Sequence, residues 1–207
     1  MIVRPSDKAT LICALAVCVV SAVPAWSEAS RVANAEHGCT YSPKAGSPKA
    51  NSPNVEGDVL QFEHCAWSDA SGRVHLKRRH RLALDFDRHG LASVNIGGGW
   101  YYVRRDGRTA PVMMMDNWAE SFADGRARSP VGSKIGFINR ELALVIPARY
   151  DGALPFAHGW AEVCIDCELA TDGEHSWYAG GRWGCVDRHG HARESFRAAQ
   201  SAGHACR

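Results

Sequence analysis

The chain has 207 residues, 45% of them hydrophobic and 22% charged, and its formal net charge is only +2. So small an excess of positive charge argues against a protein that binds nucleic acid through a basic surface. After the N-terminal residues, no apolar stretch approaches the ~18 residues that a membrane-spanning helix needs. The residues that follow this N-terminal segment are numerous enough for one hydrophobic core and one domain.

The first residues have the pattern of a secretory signal peptide. A basic start precedes an almost entirely apolar stretch from Ala9 to Val23, and small residues follow it. This pattern predicts a signal peptide over residues 1–25, with cleavage after Ala25 or Ala29. A retained N-terminal anchor is the alternative. We therefore expect a periplasmic or secreted protein with no transmembrane segment once the signal is removed.

A proline-rich tract follows the signal. The phrase Ser-Pro-Lys-Ala occurs at residues 42–45 and 47–50, and Ser-Pro-Asn follows at 52–54. Because these residues include almost nothing apolar, they cannot form a core. We predict a flexible spacer over residues 30–58 and a folded domain over residues 59–207.

The folded part repeats a short phrase. Ile135-Gly136 and Trp183-Gly184 each begin a run of alternating apolar residues, and Trp100-Tyr101 begins a looser copy. Trp100 and Ile135 are 35 positions apart, whereas Ile135 and Trp183 are 48 apart. The extra residues fall in the stretch 164–181, which is rich in Asp, Gly, Glu and Ser and is typical of an inserted surface loop.

The alternating runs within each unit are short, and Gly, Pro or Asp closes each of them. This pattern predicts an all-β fold, a single domain of stacked antiparallel meander or hairpin repeats with little helix. Gly107 and Gly190 lie where a hairpin turn requires positive φ. We also predict that Trp100, Trp160 and Trp183 pack in the core, and that Met113-Met114-Met115 fills gaps in it.

Three passages of the chain resemble the WG-repeat family, which is named for its Trp-Gly pair. They are residues 134–138, residues 145–151 with Pro155-Phe156, and residues 180–184, and the resemblance extends over roughly 82–191. It implies β-structured repeats in a bacterial secreted protein, a WG-repeat domain within residues 59–207, and no particular activity. Two departures are present: Ile135 replaces the signature Trp, and Arg140-Glu141-Leu142 lacks the turn glycine, which implies a different hairpin in the middle repeat.

Six cysteines remain after the signal peptide, and an even number in an exported protein indicates disulfides. Six cysteines allow fifteen pairings. Proximity in the sequence favours Cys39 with Cys65, Cys164 with Cys167, and Cys185 with Cys206.

The pair Cys164 and Cys167 also permits two sharper hypotheses. One is thiol-redox chemistry, although the acidic neighbours Asp166 and Glu168 would raise a thiol pKa rather than lower it. The other is a zinc site formed by Cys164, Cys167, His175 and Cys185, whose spacing matches no familiar zinc finger. Zinc is thus the alternative to our prediction that the protein has no cofactor and no metal.

The basic residues 75–81 lie between apolar residues, so we interpret them as a strand pair with an edge protected by Lys and Arg. No nucleophile motif, metalloprotease motif or phosphate loop is present, so we predict no catalytic residue. Exposed aromatic and charged residues in the inserted loop form the candidate contact surface: Asp172, Glu174, His175, Trp177 and Tyr178. The sequence predicts a non-catalytic binding or structural module of the cell envelope, whose partner is a protein or an envelope polysaccharide and not nucleic acid. The alternative is a metal-binding or redox protein centred on Cys164 and Cys167.

Overall fold

The computed structural model describes residues 35–42, 59–198 and Cys206. The predicted signal peptide and most of the predicted spacer lie outside these residues. The elements in chain order are β1 (Ala35–Tyr41), β2 (Leu60–Ser68), β3 (Val74–Leu76), α1 (Arg78–Ala83), β4 (Leu91–Ile96), β5 (Gly99–Arg104), β6 (Thr109–Val112), β7 (Met114–Met115), β8 (Trp118–Ala119), β9 (Ala127–Val131), β10 (Lys134–Ile138), β11 (Leu144–Tyr150), β12 (Gly152–Ala153), β13 (Trp160–Ile165), β14 (Glu168–Thr171), β15 (Ser176–Ala179), β16 (Arg182–Asp187) and β17 (Arg197–Ala198). The all-β prediction is confirmed. In the part of the chain that the structure describes, no helix is long and apolar enough to cross a membrane.

The strands form antiparallel sheets that follow one another along the chain. The largest has six strands in the order β3-β2-β1-β4-β5-β6. A three-stranded sheet, β11-β10-β9, and a four-stranded sheet, β12-β13-β16-β17, come next, and two separate hairpins are formed by β7-β8 and β14-β15. Neighbours in sequence are mostly neighbours in space, as a meander requires.

Each copy of the repeated phrase lies on the central strand of a three-stranded meander. Trp100 is in β5, between β4 and β6; Ile135 is in β10, between β9 and β11; and Trp183 is in β16, between β13 and β17. The same five-residue turn follows each central strand. The backbone N–H of Arg104, Asn139 and Asp187 donates to the carbonyl oxygen four residues later, at 2.8, 3.0 and 3.0 Å.

The fourth residue of this turn has a left-handed conformation in all three copies. Gly107 has φ 99° and Gly190 has φ 83°, as the sequence predicts. Leu142 takes the equivalent position with φ 58°, so the expectation of a different hairpin in the middle repeat is wrong. The Asn139 side chain stabilises this turn, because its Oδ1 accepts a hydrogen bond of 2.9 Å from the backbone N–H of Ala143.

The glycine of the motif is required by close packing. A β-carbon on Gly136 would lie 2.5 Å from the carbonyl oxygen of Ile146 on the adjacent strand, and one on Gly184 would collide with the ring of Phe196. Neither glycine needs positive φ. The space that a side chain would fill, rather than backbone freedom, therefore explains the residue type at these two positions.

The insertion in the third unit is a hairpin of its own. Where the first two units join their first and second strands through short turns, the third extends β14 and β15 from the end of β13. The disulfide between Cys164 and Cys167 lies at the base of this hairpin, next to the buried Trp183. The predicted surface insertion is thus an ordered antiparallel pair of strands.

All three predicted disulfides are present. The Cα–Cα distances are 5.8 Å for Cys39–Cys65, 5.9 Å for Cys164–Cys167 and 5.2 Å for Cys185–Cys206. The first holds β1 against β2 and the third attaches Cys206 to β16.

Three further expectations differ from the structure. Residues 35–41, placed in the spacer, form β1, because Cys39 and Tyr41 are buried against the six-stranded sheet and the disulfide holds them there. Residues 78–83 form α1 instead of a strand, because Arg, Leu and Ala favour helix and one turn buries His80. Met114 and Met115 are exposed on β7 rather than buried in the core.

The three tryptophans that were predicted to pack in the core are buried to different extents. Trp183 is buried at 4% exposure, and its Nε1 donates to the carbonyl of Gly180 at 2.8 Å. Trp100 is half-buried against a small apolar cluster that joins the first two units. Trp160 is also half-buried, with the Arg193 guanidinium over its ring. Of these three tryptophans, only Trp183 is therefore a fully buried core residue.

Candidate functional site

The predicted contact residues lie on the hairpin formed by β14 and β15. Asp172, Glu174 and His175 are in its exposed turn. The backbone N–H groups of Glu174 and His175 donate to Asp172 Oδ1 at 3.0 and 2.7 Å. Both hydrogen bonds lower the pKa of the Asp172 carboxyl, and the bond from His175 has the larger effect. Asp172 is thus committed to forming the turn.

Trp177 and Tyr178 point to opposite faces of the hairpin. Trp177 is exposed at 45%, whereas Tyr178 is half-buried against the Cys164–Cys167 disulfide. Gly152 makes room for Tyr178, because a β-carbon there would lie 2.5 Å from its ring. Leu169, opposite Tyr178, is 65% exposed. Trp177 remains a candidate contact residue, and Tyr178 has a packing role.

The residues of the alternative zinc site are not available as a set. Cys164 and Cys167 are bonded to each other, and Cys185 is bonded to Cys206, so none is a thiolate ligand. His175 lies in the exposed turn with its Nδ1 3.6 Å from Asp172 Oδ2. No group of three or more His, Cys, Asp or Glu residues that could hold a metal ion occurs among the described residues.

A second candidate surface, which we call the aromatic groove, lies on the six-stranded sheet. The register aligns Thr40, Asn95, Trp100 and Val112 across β1, β4, β5 and β6, so these side chains share one face. The opposite face carries the buried core around the Cys39–Cys65 disulfide. On the shared face, the second repeat packs over β6, whereas the part over β1 and β4 is open.

The wall of the aromatic groove is formed by the hairpin of β7 and β8. A turn with left-handed Asp116 and Asn117 (φ 48° and 68°) brings Trp118 beside Trp100, with ring centroids 5.5 Å apart and planes at 41°. Trp118 is 55% exposed and Met114 is 60% exposed. The groove has a volume of about 420 Å³, within the range of small-ligand pockets.

Polar side chains in the aromatic groove have unused hydrogen-bonding groups. Six of them have no side-chain hydrogen bond to any other described residue: Thr40, Ser42, Asp85, Ser93, Asn95 and Asn117. Hydroxyl and amide groups can both donate and accept hydrogen bonds. Asp85 is the only charged side chain that lines the groove. The groove therefore combines an aromatic wall with polar groups free to bond a ligand.

A basic pocket adjoins the aromatic groove. Its volume is about 410 Å³, and it is lined by Arg78, Arg81, Leu82, Leu84, Asp85, Phe86 and Arg105. Asp85 lines both cavities. Since Asp85 is the one acidic residue against three arginines, the pocket carries a net positive charge.

Sequence reasoning missed the aromatic groove because its parts are distant in the chain. Trp118 lies between two turns with left-handed residues, and its neighbours Met114 and Met115 were interpreted as core. The sequence did contain a signal for it. The Asp-Asn turn joins strands so short that the flanking Met114, Met115 and Trp118 could not be buried by the hairpin itself.

Fold and site together define an all-β repeat protein with disulfides and an aromatic groove. Residues 135–166, from the signature position of β10 to the end of β13, match the family model described as WG containing repeat. The resemblance to that family is confirmed there. No curated protein and no solved structure matches the chain.

Proposed function

We propose that the protein is an exported, non-catalytic binding module whose aromatic groove holds a glycan. The observation that carries the proposal is the pair of tryptophans, Trp100 and Trp118, beside polar side chains with free hydrogen-bonding groups. An aromatic ring has a negative face that attracts the C–H groups of a sugar ring. Hydroxyl and amide groups below it can bond sugar hydroxyls.

A glycan fits the aromatic groove better than a protein does. Protein-binding patches are larger and have a continuous apolar centre. Here the apolar lining is formed mainly by Trp100, Met114 and Trp118, with Val59 and Ala92, and polar side chains are interspersed with it. An envelope polysaccharide is therefore the partner we assign to this surface.

The disulfides support the exported location in this proposal. Three disulfides are expected of a protein in an oxidising compartment, because cytosolic thiols are kept reduced. The signal peptide predicted over residues 1–25 agrees with this location.

Glycan-array binding of the purified protein tests the proposal. We expect binding to a subset of glycans and quenching of tryptophan fluorescence on addition of each. Trp118→Ala should weaken this binding by about fivefold or more, since stacking on one aromatic ring is worth about 1–3 kcal/mol. Trp177→Ala, an exposed tryptophan outside the groove, is the matched control and should bind as the wild type does. Absence of glycan binding, or binding unchanged by Trp118→Ala, contradicts the proposal.

The β14-β15 hairpin is a second candidate contact surface, for a protein partner. The exposure of Trp177 on one face of an ordered hairpin favours it. Cross-linking to envelope proteins that is lost in Trp177→Ala and kept in Trp118→Ala would support this role, and the reverse pattern would exclude it.

A further inference from the structure

We propose that the basic pocket binds the acidic substituent of the glycan, a sulfate, phosphate or carboxylate group, so that the natural ligand is an anionic polysaccharide. This inference rests on the proposed function, because it assumes that the sugar chain lies in the aromatic groove. Asp85 lines both cavities, so they are neighbours, and in this proposal one ligand spans them.

The three arginines of the basic pocket are free to bind an anion. The side chains of Arg78, Arg81 and Arg105 make no hydrogen bond or ion pair with any other residue that the structure describes. Other arginines of the chain are engaged: Arg108 with Asp106, Arg128 with Glu120, Arg182 with Asp166, and Arg197 with Glu194. Lys77, next to the pocket arginines in sequence, is paired with Glu36 at 2.6 Å. The basic pocket thus brings together three arginines whose side chains are unpaired. Among the described residues, the side chains of Arg73, Arg140, Arg188 and Arg193 also lack such bonds but lie outside the pocket.

Packing holds two of these guanidinium groups in position. The Arg105 guanidinium lies over the Phe86 ring, 4.7 Å from its centroid. Arg81 packs against Gly107, where any side chain would collide with its Nη1. A guanidinium group that is already positioned loses less conformational entropy on binding, and its planar donors match the oxygens of carboxylate, sulfate or phosphate.

The composition of the basic pocket favours an anionic group at the end of an apolar surface. Leu82 is 55% exposed beside the arginines, and Phe86 is half-buried. Three guanidinium groups against the single carboxylate of Asp85 leave an excess of two positive charges. A neutral sugar would gain nothing from this charge, whereas an acidic substituent forms charge-assisted hydrogen bonds.

The test measures the affinity of the full protein for pairs of oligosaccharides that share a backbone and differ only by sulfation. We expect the sulfated member to bind about tenfold more tightly at physiological salt, with a preference that shrinks as salt is raised. Arg81→Gln and Arg105→Gln should each remove most of this preference and leave binding of the neutral member unchanged. Arg73→Gln removes the same charge from an exposed turn outside the pocket and should keep the preference.

The outcomes separate the two proposals. Equal affinity for neutral and sulfated members, or a preference that Arg81→Gln and Arg105→Gln leave intact, overturns the anionic site while the glycan groove stands. A preference lost equally in Arg73→Gln also overturns it, since overall charge would then explain the effect. Failure of every glycan to bind overturns both proposals.

Discussion

His80 is a buried histidine whose hydrogen bonds define its protonation state. Its Nε2 accepts from Arg79 Nε at 2.9 Å, so the proton resides on Nδ1, which donates to Tyr41 Oη at 3.1 Å. Burial, followed by the charges of Arg79 and Lys77, lowers the pKa of His80 to about 4. A proton added to Nε2 would remove its acceptor and place a second charge beside Arg79.

The depressed pKa of His80 predicts a loss of stability in acid. An unfolded histidine has a pKa of about 6.5, so below this pH the unfolded state binds a proton that the folded state excludes. The unfolding free energy should be constant above about pH 6.5 and should fall by up to about 3 kcal/mol as the pH approaches 4. Urea unfolding at a series of pH values measures this change.

A variant isolates the contribution of His80. His80→Gln keeps a donor and an acceptor but cannot titrate, so the decline between about pH 6.5 and 4 should become shallower. His89→Gln, which replaces an exposed histidine of a turn, should retain the slope of the wild type. If the unfolding free energy of the wild type stays constant down to about pH 4, the folded protein does not keep His80 neutral in the way described here.

At the residue scale, the sequence predicts best where backbone geometry limits the choice of side chain. Gly107 and Gly190 were placed correctly because their turns require positive φ. The left-handed conformation of Leu142 was not predicted. The side chain of Asn139 stabilises its turn, and Leu142 itself packs onto an apolar cluster. Met114 and Met115 were misplaced because composition alone does not distinguish a core methionine from an exposed one.

At the scale of elements, the third repeat contains two kinds of strand. β16 contributes to the core, whereas β15 belongs to a hairpin that extends from it. Trp183 on β16 is buried between the Cys164–Cys167 disulfide and Tyr178. Trp177 on β15 is exposed on an edge of the same repeat. The two tryptophans therefore provide a matched pair of substitutions.

Truncation of these tryptophans should have very different effects on stability. Trp183→Ala should lower the unfolding free energy by about 3–5 kcal/mol, because it leaves a cavity and an unpaired Gly180 carbonyl. Trp177→Ala should cost less than about 1 kcal/mol. Chemical denaturation followed by circular dichroism measures both. A larger effect of Trp177→Ala would show that core and surface have been assigned the wrong way round.

The elements predicted from the sequence were those with a regular apolar alternation, such as β10, β13 and β16. α1 was missed because one turn of helix is too short to show a helical period, and its basic residues are equally compatible with a strand edge. β1 was missed because it adjoins the proline-rich tract. Its place in the sheet depends on the disulfide from Cys39 to Cys65, a contact distant in sequence.

At the scale of the whole molecule, polar contacts between turns and strands connect successive repeats. Asp124, in the turn before β9, accepts a 2.6 Å hydrogen bond from the backbone N–H of Gly159, in the equivalent turn before β13. Arg128 forms a buried ion pair with Glu120 at 2.6 Å and donates to the carbonyl of Ala153 at 2.7 Å. The repeats thus pack in a fixed order.

This packing also explains why the aromatic groove was not predictable. The second repeat packs against the β5-β6 side of the six-stranded sheet, and β7 and β8 place Trp118 beside Trp100 next to it. Its residues come from β1, β4, β5 and the β7-β8 hairpin, and their proximity follows from the sheet order rather than from any local pattern. The inserted hairpin, by contrast, was visible as extra residues in the repeat.

The indole N–H signals of the tryptophans in a ¹⁵N-labelled sample test the central claim most directly, because each tryptophan gives one signal and the two candidate surfaces contain different ones. We predict that titration with the array glycan of highest affinity shifts the Trp100 and Trp118 signals progressively and leaves the Trp177 signal unchanged. A titration that shifts Trp177 and leaves Trp100 and Trp118 unmoved would contradict the account.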